Sequence, residues 1–166
     1  ATRASARAWA SSASTRAQTY GMVAYMDLDD FKVINDTKGH AAGDRFLITL
    51  SNQLQQAVRK QDTIARMGGD EFVLVCGDIG KTDKEAHLFS QQIMDKINQA
   101  VRTPVHYDGF THQCSTSTGI CLFKGDAIDA DELLRRADMS MYLAKKLGRG
   151  CHLHYDGAMQ PKYNYQ

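Results

Sequence analysis

Hydrophobic residues recur along the chain in two spacings, one typical of strands and the other of helices. Short apolar runs over 22–27, 63–67 and 71–76 predict three strands, and the glycine pair between the last two predicts a hairpin turn. Between the first two runs, apolar residues three and four positions apart predict a helix over 45–58. The first half of the chain is therefore predicted to form a strand, a helix and a hairpin.

The second half is predicted to begin with a helix behind a capping box formed by Thr82 and Glu85. A later strand is expected to pair with the segment before it across a turn at Asp108-Gly109. The last helix has acidic residues at its start and basic residues at its end, which suits the helix dipole. The predicted ranges are a strand over 105–110, a strand over 114–123, a helix from Asp129 that is terminated by Gly148 and Gly150, and a strand over 152–155.

The order of these elements predicts how they pack. Strands and helices alternate, which indicates an α/β or α+β domain with a mixed central sheet and flanking helices. The embedded βαββαβ run is the ferredoxin-like unit. We expect one folded domain over 21–160, preceded by a helix or linker remnant over 1–20 and followed by a tail over 161–166.

The composition narrows the class of protein. The 166 residues are 43% hydrophobic and 23% charged, as in an ordinary folded domain rather than a disordered chain. The 20 basic and 19 acidic side chains nearly cancel, so we expect no nucleic-acid partner. The apolar runs are too short to span a bilayer, and the four cysteines form no Cys-x-x-Cys pair. We therefore expect reduced structural thiols and a cytoplasmic domain, either free or as the cytoplasmic part of a membrane-anchored sensor protein.

Carboxylates gather at two places beside predicted strand ends. Asp27, Asp29 and Asp30 accompany the end of the first strand, where carboxylate oxygens suit a hard cation such as Mg²⁺. Asp70 and Glu71 follow the glycine pair of the hairpin. If the first strand lies beside the hairpin, Asp27 and Asp70 converge and would suit a metal–triphosphate site. The alternatives are a polar strand end and a plain hairpin with acidic decoration.

Two further pairs of polar residues have both a binding and a structural interpretation. Asn35 and Asp44 could together read the edge of a purine, because Asn donates and accepts whereas ionised Asp only accepts. Their alternative roles are a local turn and the N-cap of the following helix. Lys145 and Arg149 lie four residues apart, so on a helix they would share a face and could hold phosphates. Their alternative role is a solvated basic helix end.

Five sequence blocks resemble, in their order along the chain, those of the GGDEF domain. This is the catalytic domain of bacterial diguanylate cyclases. The signature is intact at 68–72, and the resemblance covers about 22–156. The other blocks are Asp-x-Asp-x-Phe-Lys at 27–32, Asn-Asp-x-x-Gly-His-x-x-Gly-Asp at 35–44, Ser-x-Gly at 117–119 and Ala-Asp-x-x-Met-Tyr-x-Ala-Lys-x-x-Gly-Arg at 137–149. The resemblance implies an α+β fold with a palm-like core of the nucleotide-cyclase type.

The resemblance also implies a reaction and its site. Two GTP molecules would condense to cyclic di-GMP with release of two pyrophosphates, using Mg²⁺ or Mn²⁺ and a second GGDEF domain as partner. Asp27, the backbone carbonyl of Leu28 and Asp70 would hold the metal. Asp70 would also accept a proton, with Glu71 as the neighbouring catalytic and metal-supporting carboxylate. The implied guanine-reading pair is Asn35 and Asp44, and the other implied substrate positions are Lys32, His40, Gly68, Gly69, Lys145 and Arg149.

Arg59 and Asp62 form an Arg-x-x-Asp pattern shortly before the signature. At this spacing the pattern resembles the family's inhibitory site for its product, cyclic di-GMP. Arg can pair with guanine or phosphate, and Asp can accept from guanine. The alternative is a charge pair at a helix end. The second arginine that usually completes such a site has no evident candidate in the sequence.

The chain departs from the family at its start. It lacks the Asp-x-Leu-Thr-x-Leu-x-Asn-Arg segment with which the family usually opens, and its first residue is Ala. We therefore expect a longer protein with an upstream sensor or dimerisation domain. The main rival function is a catalytically silent GGDEF domain that acts as a receptor for GTP or cyclic di-GMP. A weaker rival is a metal-dependent nucleotide cyclase or polymerase-like enzyme acting on one nucleotide. The intact signature favours the diguanylate cyclase.

Overall fold

A computed structural model describes residues 18–125 and 128–157, together with Ala4 and Ala8. Those two alanines are helical, whereas the rest of the expected helix or linker up to position 17 lies outside the described residues, as does the expected tail over 161–166. No helix in the described ranges is both long enough and apolar enough to cross a membrane. In chain order the described elements are β1 (Tyr20–Leu28), α1 (Lys32–Lys38), α2 (His40–Ala57), β2 (Thr63–Gly68), β3 (Glu71–Cys76), α3 (Asp83–Arg102), β4 (Val105–Tyr107), β5 (Phe110–His112), β6 (Thr116–Lys124), α4 (Ala130–Lys146) and β7 (His152–His154).

The central sheet has five strands in the order β2-β3-β1-β6-β7. Neighbouring strands are antiparallel, except that β7 runs parallel to β6. The run β1, α2, β2, β3, α3, β6 with this strand order is the ferredoxin-like unit, so the predicted α+β fold with a mixed sheet is confirmed. The first strand lies beside the signature hairpin, as the convergence of the two acidic groups requires.

Apolar side chains alternate along β1 and fill a core on each face of the sheet. Met22, Ala24 and Met26 belong to the core under α2 and α3, whereas Val23 and Tyr25 belong to the core under α4. This alternation continues to Asp27, so its side chain lies on the α4 face. The same periodicity that builds the two cores therefore decides on which side of the sheet the acidic cluster lies.

Helix α4 packs against β6 at a distance that only glycine allows. A Cβ at Gly119 would overlap the carbonyl oxygen of Ala137 and the amide nitrogen of Met141. The backbone of the helix therefore rests directly on the strand at this position. This contact holds α4, whose C-terminal turn carries Lys145, against the face of the sheet on which Asp27 lies.

The predicted helix starts in the second half are confirmed. The Thr82 hydroxyl accepts a hydrogen bond from the Glu85 amide and the Glu85 carboxylate accepts one from the Thr82 amide, which completes the capping box. The Asp129 carboxylate accepts from the Glu132 amide at 2.9 Å and caps α4. These local signals mark where α3 and α4 begin.

Two predictions about the first half are wrong. The helix predicted over 45–58 begins at His40, so Asp44 lies inside α2 and is not its N-cap. Asn35 lies inside the short helix α1 rather than in a turn. The reason is that Gly39, with φ 89°, makes a break of a single residue between the two helices. Apolar periodicity detects long stripes and does not resolve a break this short.

The predicted pairing of 105–110 with 114–123 is also wrong. Strand β4 pairs with β5 across Asp108-Gly109, and these two residues have φ of 47° and 81°, as a tight two-residue hairpin turn requires. Strand β6 is instead paired with β1 on one side and β7 on the other. Both of its edges are therefore occupied, and the short hairpin forms a separate two-stranded sheet.

The cysteines are structural thiols, as predicted. All four are free, and three of them are buried. Burial raises the pKa of Cys114 to about 12 and that of Cys121 to about 11, so both remain protonated at neutral pH.

Candidate active site

The signature turn lies against the end of β1. The Leu28 amide donates to the Asp70 carbonyl at 3.1 Å, and Asp27 is the register partner of Glu71 across the β1–β3 ladder. Gly69 has φ 52°, and apart from its chain neighbours no described residue has an atom within 4 Å of the position its Cβ would take. The hairpin therefore brings two carboxylates beside Asp27 and leaves the glycine backbone open to a ligand. The convergence predicted from the sequence is present.

Asp27 is an incompletely neutralised carboxylate. Burial, together with the charges of Asp70 and Glu71, raises its pKa from 3.8 to about 6, although Lys145 lowers it. Lys145 Nζ lies 3.0 Å from Asp27 Oδ1, an ion-pair distance. Apart from this ion pair, that buried oxygen has no hydrogen-bond partner among the described residues. An added cation would stabilise this group.

The donor set fits a divalent metal that is completed by other ligands. Asp27 supplies an orphaned buried oxygen, and Asp70 is close enough to raise its pKa. Within the described ranges, no three His, Cys, Asp or Glu side chains are arranged to hold a metal by themselves. Mg²⁺ is commonly bound by one or two carboxylates together with substrate phosphates and water. The arrangement therefore suits a metal that arrives with a phosphorylated substrate.

Glu71 is held in place by a neighbouring tyrosine. The Tyr25 hydroxyl donates to Glu71 Oε2 at 2.9 Å. Tyr25 and Asp27 are alternate residues of β1, so both lie on the α4 face of the sheet. The second signature carboxylate therefore has an ordered position on the same face as the first strand's acidic end.

Helices α1 and α2 bring the predicted guanine-reading residues together. A Cβ at Gly43 would overlap Asn35 Oδ1, so the Asn35 amide packs against α2 one residue before Asp44. The Gly39 amide donates to the Asn35 carbonyl at 3.0 Å and closes the connection between the helices. Asn35 is half-buried, whereas His40 and Asp44 are exposed. The pair is therefore placed to present one fixed amide and one solvated carboxylate. Lys32, the first residue of α1, is exposed as well.

Lys145 and Arg149 do not share a helix face, which corrects the prediction. Helix α4 ends at Lys146, because Gly148 and the two residues after it adopt positive φ. Both cations nevertheless reach the acidic end of β1. Arg149 Nη1 donates to Asp30 Oδ1 at 2.6 Å, while Lys145 pairs with Asp27. Two basic groups therefore flank the carboxylates from the end of one helix.

Asp29 and Ser117 contribute to this edge in ways that the sequence did not reveal. Asp29 is buried, and its carboxylate accepts from the hydroxyls of Ser117 and Ser115 and from the Gly150 amide. The available signal was that the Asp-x-Asp and Ser-x-Gly blocks each contain alternate residues, which lie on one face of a strand. From the sequence, Asp29 was predicted only to be one of three acidic residues at the end of the first strand.

Arg59 and Asp62 are already paired with each other. The Arg59 guanidinium donates to both oxygens of Asp62 at 2.8–3.1 Å, and the Arg59 amide donates to Oδ2 at 2.9 Å. Arg59 Nη2 also donates to the Gly77 carbonyl at 2.7 Å, and the guanidinium lies 4.5 Å from the centre of the Phe89 ring. The hydrogen bond to Asp62 raises the pKa of Arg59 above its usual value. The two side chains form an ion pair between α2 and β2, a place we call the junction after α2.

Comparisons with known proteins identify the family of this chain. The family model described as "Diguanylate cyclase, GGDEF domain" matches residues 3–151. The chain is 38% identical over 137 residues to the bifunctional diguanylate cyclase/cyclic di-GMP phosphodiesterase MucR of Pseudomonas aeruginosa, which covers 82% of this chain and 19% of MucR. It is 36% identical over 129 residues to the diguanylate cyclase TpbB of the same species, which covers 77% of this chain and 28% of TpbB. The chain thus spans less than a third of either relative.

A solved structure shows the same fold. The GGDEF domain of TpbB from Pseudomonas aeruginosa superposes with a TM-score of 0.86 at 32% identity, covering 95% of this chain and 91% of that chain. The family match extends over both acidic groups, the connection between α1 and α2, and the end of α4. The chain therefore belongs to the GGDEF domain family.

Proposed function

We propose that this domain is a diguanylate cyclase that condenses two GTP molecules to cyclic di-GMP with release of two pyrophosphates. The observation that carries the proposal is the incompletely neutralised Asp27 beside the intact signature turn. Such a cluster of carboxylates repels a triphosphate unless a cation accompanies it, so the site suits a metal-bound nucleotide. MucR and TpbB carry the name diguanylate cyclase, which supports the same activity here.

Carboxylates of the chain would hold the metal and accept the proton of the attacking hydroxyl. Asp27, the Leu28 carbonyl and Asp70 would hold Mg²⁺ or Mn²⁺, with Glu71 in support. When bound, the metal supplies positive charge that stabilises the phosphoryl-transfer transition state. Asp70 accepts the proton of the attacking 3′-hydroxyl, because it lies in the open glycine turn at the edge of the cluster.

The nucleotide is bound at both ends. Asn35 and Asp44 hold the guanine edge, with His40 in the same loop. Lys145 and Arg149 face the phosphates, because both side chains already reach toward carboxylates at the end of β1. The remaining phosphate-facing positions are Lys32, Gly68 and Gly69.

The reaction requires two domains. Each 3′-hydroxyl attacks the α-phosphorus of the GTP held by the other domain, forming one P–O bond while the bond to pyrophosphate breaks. A homodimer that brings two sites face to face therefore completes the catalyst. In a longer protein, an upstream sensor or dimerisation domain would control this encounter.

Product inhibition is proposed at Arg59 and Asp62. The guanidinium is held flat by Asp62, Gly77 and the Phe89 ring, which prepares it to stack on or hydrogen-bond to a guanine. Cyclic di-GMP bound at this junction would cross-link two domains and hold their GTP sites apart. The direct test is calorimetry with cyclic di-GMP. The Arg59→Lys variant keeps the charge but loses the planar guanidinium, so it should bind cyclic di-GMP more weakly than the wild type. Equal binding would contradict the proposed inhibitory site.

The proposed activity is tested by incubating the domain with GTP and Mg²⁺ and separating the nucleotides by chromatography. We expect cyclic di-GMP and pyrophosphate, with an initial rate that rises faster than linearly with protein concentration because two domains must meet. Binding of GTP or cyclic di-GMP without turnover, even at high protein concentration, would instead support a receptor. A cyclic mononucleotide as the product would support an enzyme that acts on one nucleotide.

A further inference from the structure

Asp29 ties together three segments of the chain at the edge of the site. Asp29 is 5% exposed and follows the last residue of β1. Its Oδ1 accepts from the Ser117 hydroxyl at 2.7 Å, and its Oδ2 accepts from the Ser115 hydroxyl at 2.6 Å and the Gly150 amide at 3.0 Å. Its own amide donates to the Ser115 carbonyl at 2.9 Å. One buried carboxylate therefore links the end of β1, the start of β6 and the segment after α4.

This environment separates Asp29 from the carboxylates on either side of it. Asp27 has a buried oxygen that accepts no hydrogen bond from the described residues, and Asp30 is exposed and paired with Arg149. Both oxygens of Asp29, in contrast, are occupied by donors of the chain itself. Its carboxylate is therefore used to fix the structure rather than to bind a cation.

The segment that Asp29 holds has a disfavoured backbone. Gly148, Arg149 and Gly150 have φ of 115°, 66° and 63°, and Arg149 has a Cβ that opposes this conformation. Asp30, its ion-pair partner, is also left-handed at φ 57°. Such conformations persist only where the surrounding structure imposes them. The bond from the Gly150 amide to Asp29 anchors the residue directly after Arg149 to the end of β1.

We propose that Asp29 is a positioning residue that holds the Arg149 backbone so that its guanidinium reaches the triphosphate of GTP. The inference rests on the proposed function, in which Arg149 is a phosphate ligand. Asp29 acts through Arg149 and does not itself touch the nucleotide, because its oxygens are turned toward Ser115, Ser117 and Gly150.

The test is the Asp29→Asn variant. The amide keeps the shape of the side chain but replaces one accepting oxygen by a donor, so it cannot accept at both positions. Binding is measured by calorimetry with Mg²⁺ and an α,β-methylene analogue of GTP, which cannot release pyrophosphate. We expect the analogue to bind about tenfold more weakly, the size of effect typical for loss of a residue that orients a ligand-binding group. Unchanged affinity overturns the proposal.

A double-mutant cycle with Arg149→Ala separates positioning from general damage. If Asp29 acts through Arg149, the double variant Asp29→Asn/Arg149→Ala binds the analogue no more weakly than Arg149→Ala alone. Multiplied losses in the double variant would overturn the proposal. If Asp29→Asn does not fold, Ser117→Ala removes one donor to the carboxylate and enters the same cycle.

Ser90→Ala is the matched control. Ser90 is fully buried, and its hydroxyl lies 2.8 Å from His154 Nε2 in β7. Its loss therefore loosens the strand that follows Gly150, from the α3 side and without touching Asp29. We expect lower stability and unchanged affinity for the analogue. A loss of affinity equal to that of Asp29→Asn would show that loosening alone is responsible and overturn the positioning role.

The outcomes also separate this inference from the proposed function. If the wild-type domain does not bind the analogue with Mg²⁺, both are overturned. If the wild type binds and Arg149→Ala weakens binding but Asp29→Asn does not, the phosphate role of Arg149 stands and only the inference about Asp29 is overturned.

Discussion

Asp27 at the end of β1 and Asp62 after α2 are both largely buried carboxylates with a basic partner, yet their surroundings differ. Asp62 accepts from the amide, Nε and Nη2 of Arg59, and Arg59 is further held by the Gly77 carbonyl. Asp27 has Lys145 at 3.0 Å, but one of its oxygens accepts no hydrogen bond from the part of the chain that the structure describes, and its pKa is raised to about 6. The chain satisfies the charge of Asp62 after α2, whereas it neutralises that of Asp27 at the end of β1 only in part.

This difference teaches what each region can do with a ligand. A cation at the end of β1 relieves an existing electrostatic cost, so binding there is favoured by the fold itself. A ligand at Arg59 must share a guanidinium that is already engaged, so its binding has to compete with, or add to, contacts within the chain. We therefore expect changes at the end of β1 to affect function first, and changes at the junction to affect stability first.

The largest effect is expected for Asp70→Asn. Removing this charge should reduce cyclic di-GMP formation by at least about 100-fold, because metal binding and proton acceptance are lost together. The fold should survive, since the Asp70 contact with β1 is made by its backbone carbonyl. Initial rates at saturating Mg²⁺ measure the effect, and unfolding by urea supplies the control. Near-full activity would contradict the expectation that changes at the acidic cluster beside β1 affect function first.

Arg59→Ala should lower the free energy of unfolding by about 2–3 kcal/mol, because it leaves the Asp62 side chain, which is 0% exposed, without its partner. Urea denaturation measures the loss. The double variant Arg59→Ala/Asp62→Ala is the matched control and should recover part of the stability, since no uncompensated charge remains. A single variant as stable as the wild type would show that the junction is not a structural element.

Asp44→Ala should weaken GTP binding by about 1–3 kcal/mol, because a guanine donor would lose its acceptor. Stability should not change, since Asp44 is exposed on α2. Calorimetry with GTP measures the affinity, and ATP, which lacks the guanine donors, is the control nucleotide. Equal affinity of the wild-type domain for ATP and GTP would count decisively against the assignment.

The smallest effect concerns Asp27 and pH. A pKa raised from 3.8 to about 6 means that the folded domain binds the proton more tightly than the unfolded chain, so the associated stability is present below about pH 4 and is lost as pH rises through 6. Solvent screening leaves about 1 kcal/mol of this effect. Without metal, Asp27→Asn should therefore be about 1 kcal/mol more stable than the wild type at pH 7 and equally stable at pH 4. Parallel urea curves at the two pH values test this, and a less stable variant at pH 7 would contradict it.

The predictions from sequence succeeded where the signal was local or periodic. The capping box at Thr82, the cap at Asp129 and the apolar run of β1 each involve residues a few positions apart. The convergence of the two acidic groups required one further step, the pairing of β1 with the hairpin, which the strand order supplies. The family motifs identified the same groups independently of the fold.

The predictions failed where the outcome depends on distant contacts or on a single residue. The break at Gly39 interrupts the helical pattern for one position only, so periodicity did not detect it. The partner of β6 depends on which strands compete for its edges. Asp29 has the same letter as its acidic neighbours, and only the arrival of Ser117 and Gly150 from later in the chain distinguishes it.

The close contact at Gly119 also limits which sequences evolution can reach. Every amino acid other than glycine has a Cβ, so any substitution here introduces one. That Cβ would meet the backbone of α4 at Ala137 and Met141. A lineage cannot cross this position through a conservative intermediate, because the obstacle is backbone rather than a side chain that can be exchanged in turn. Substitution would require a concerted shift of the helix that carries Lys145. Gly119 should therefore persist among functional descendants of this domain.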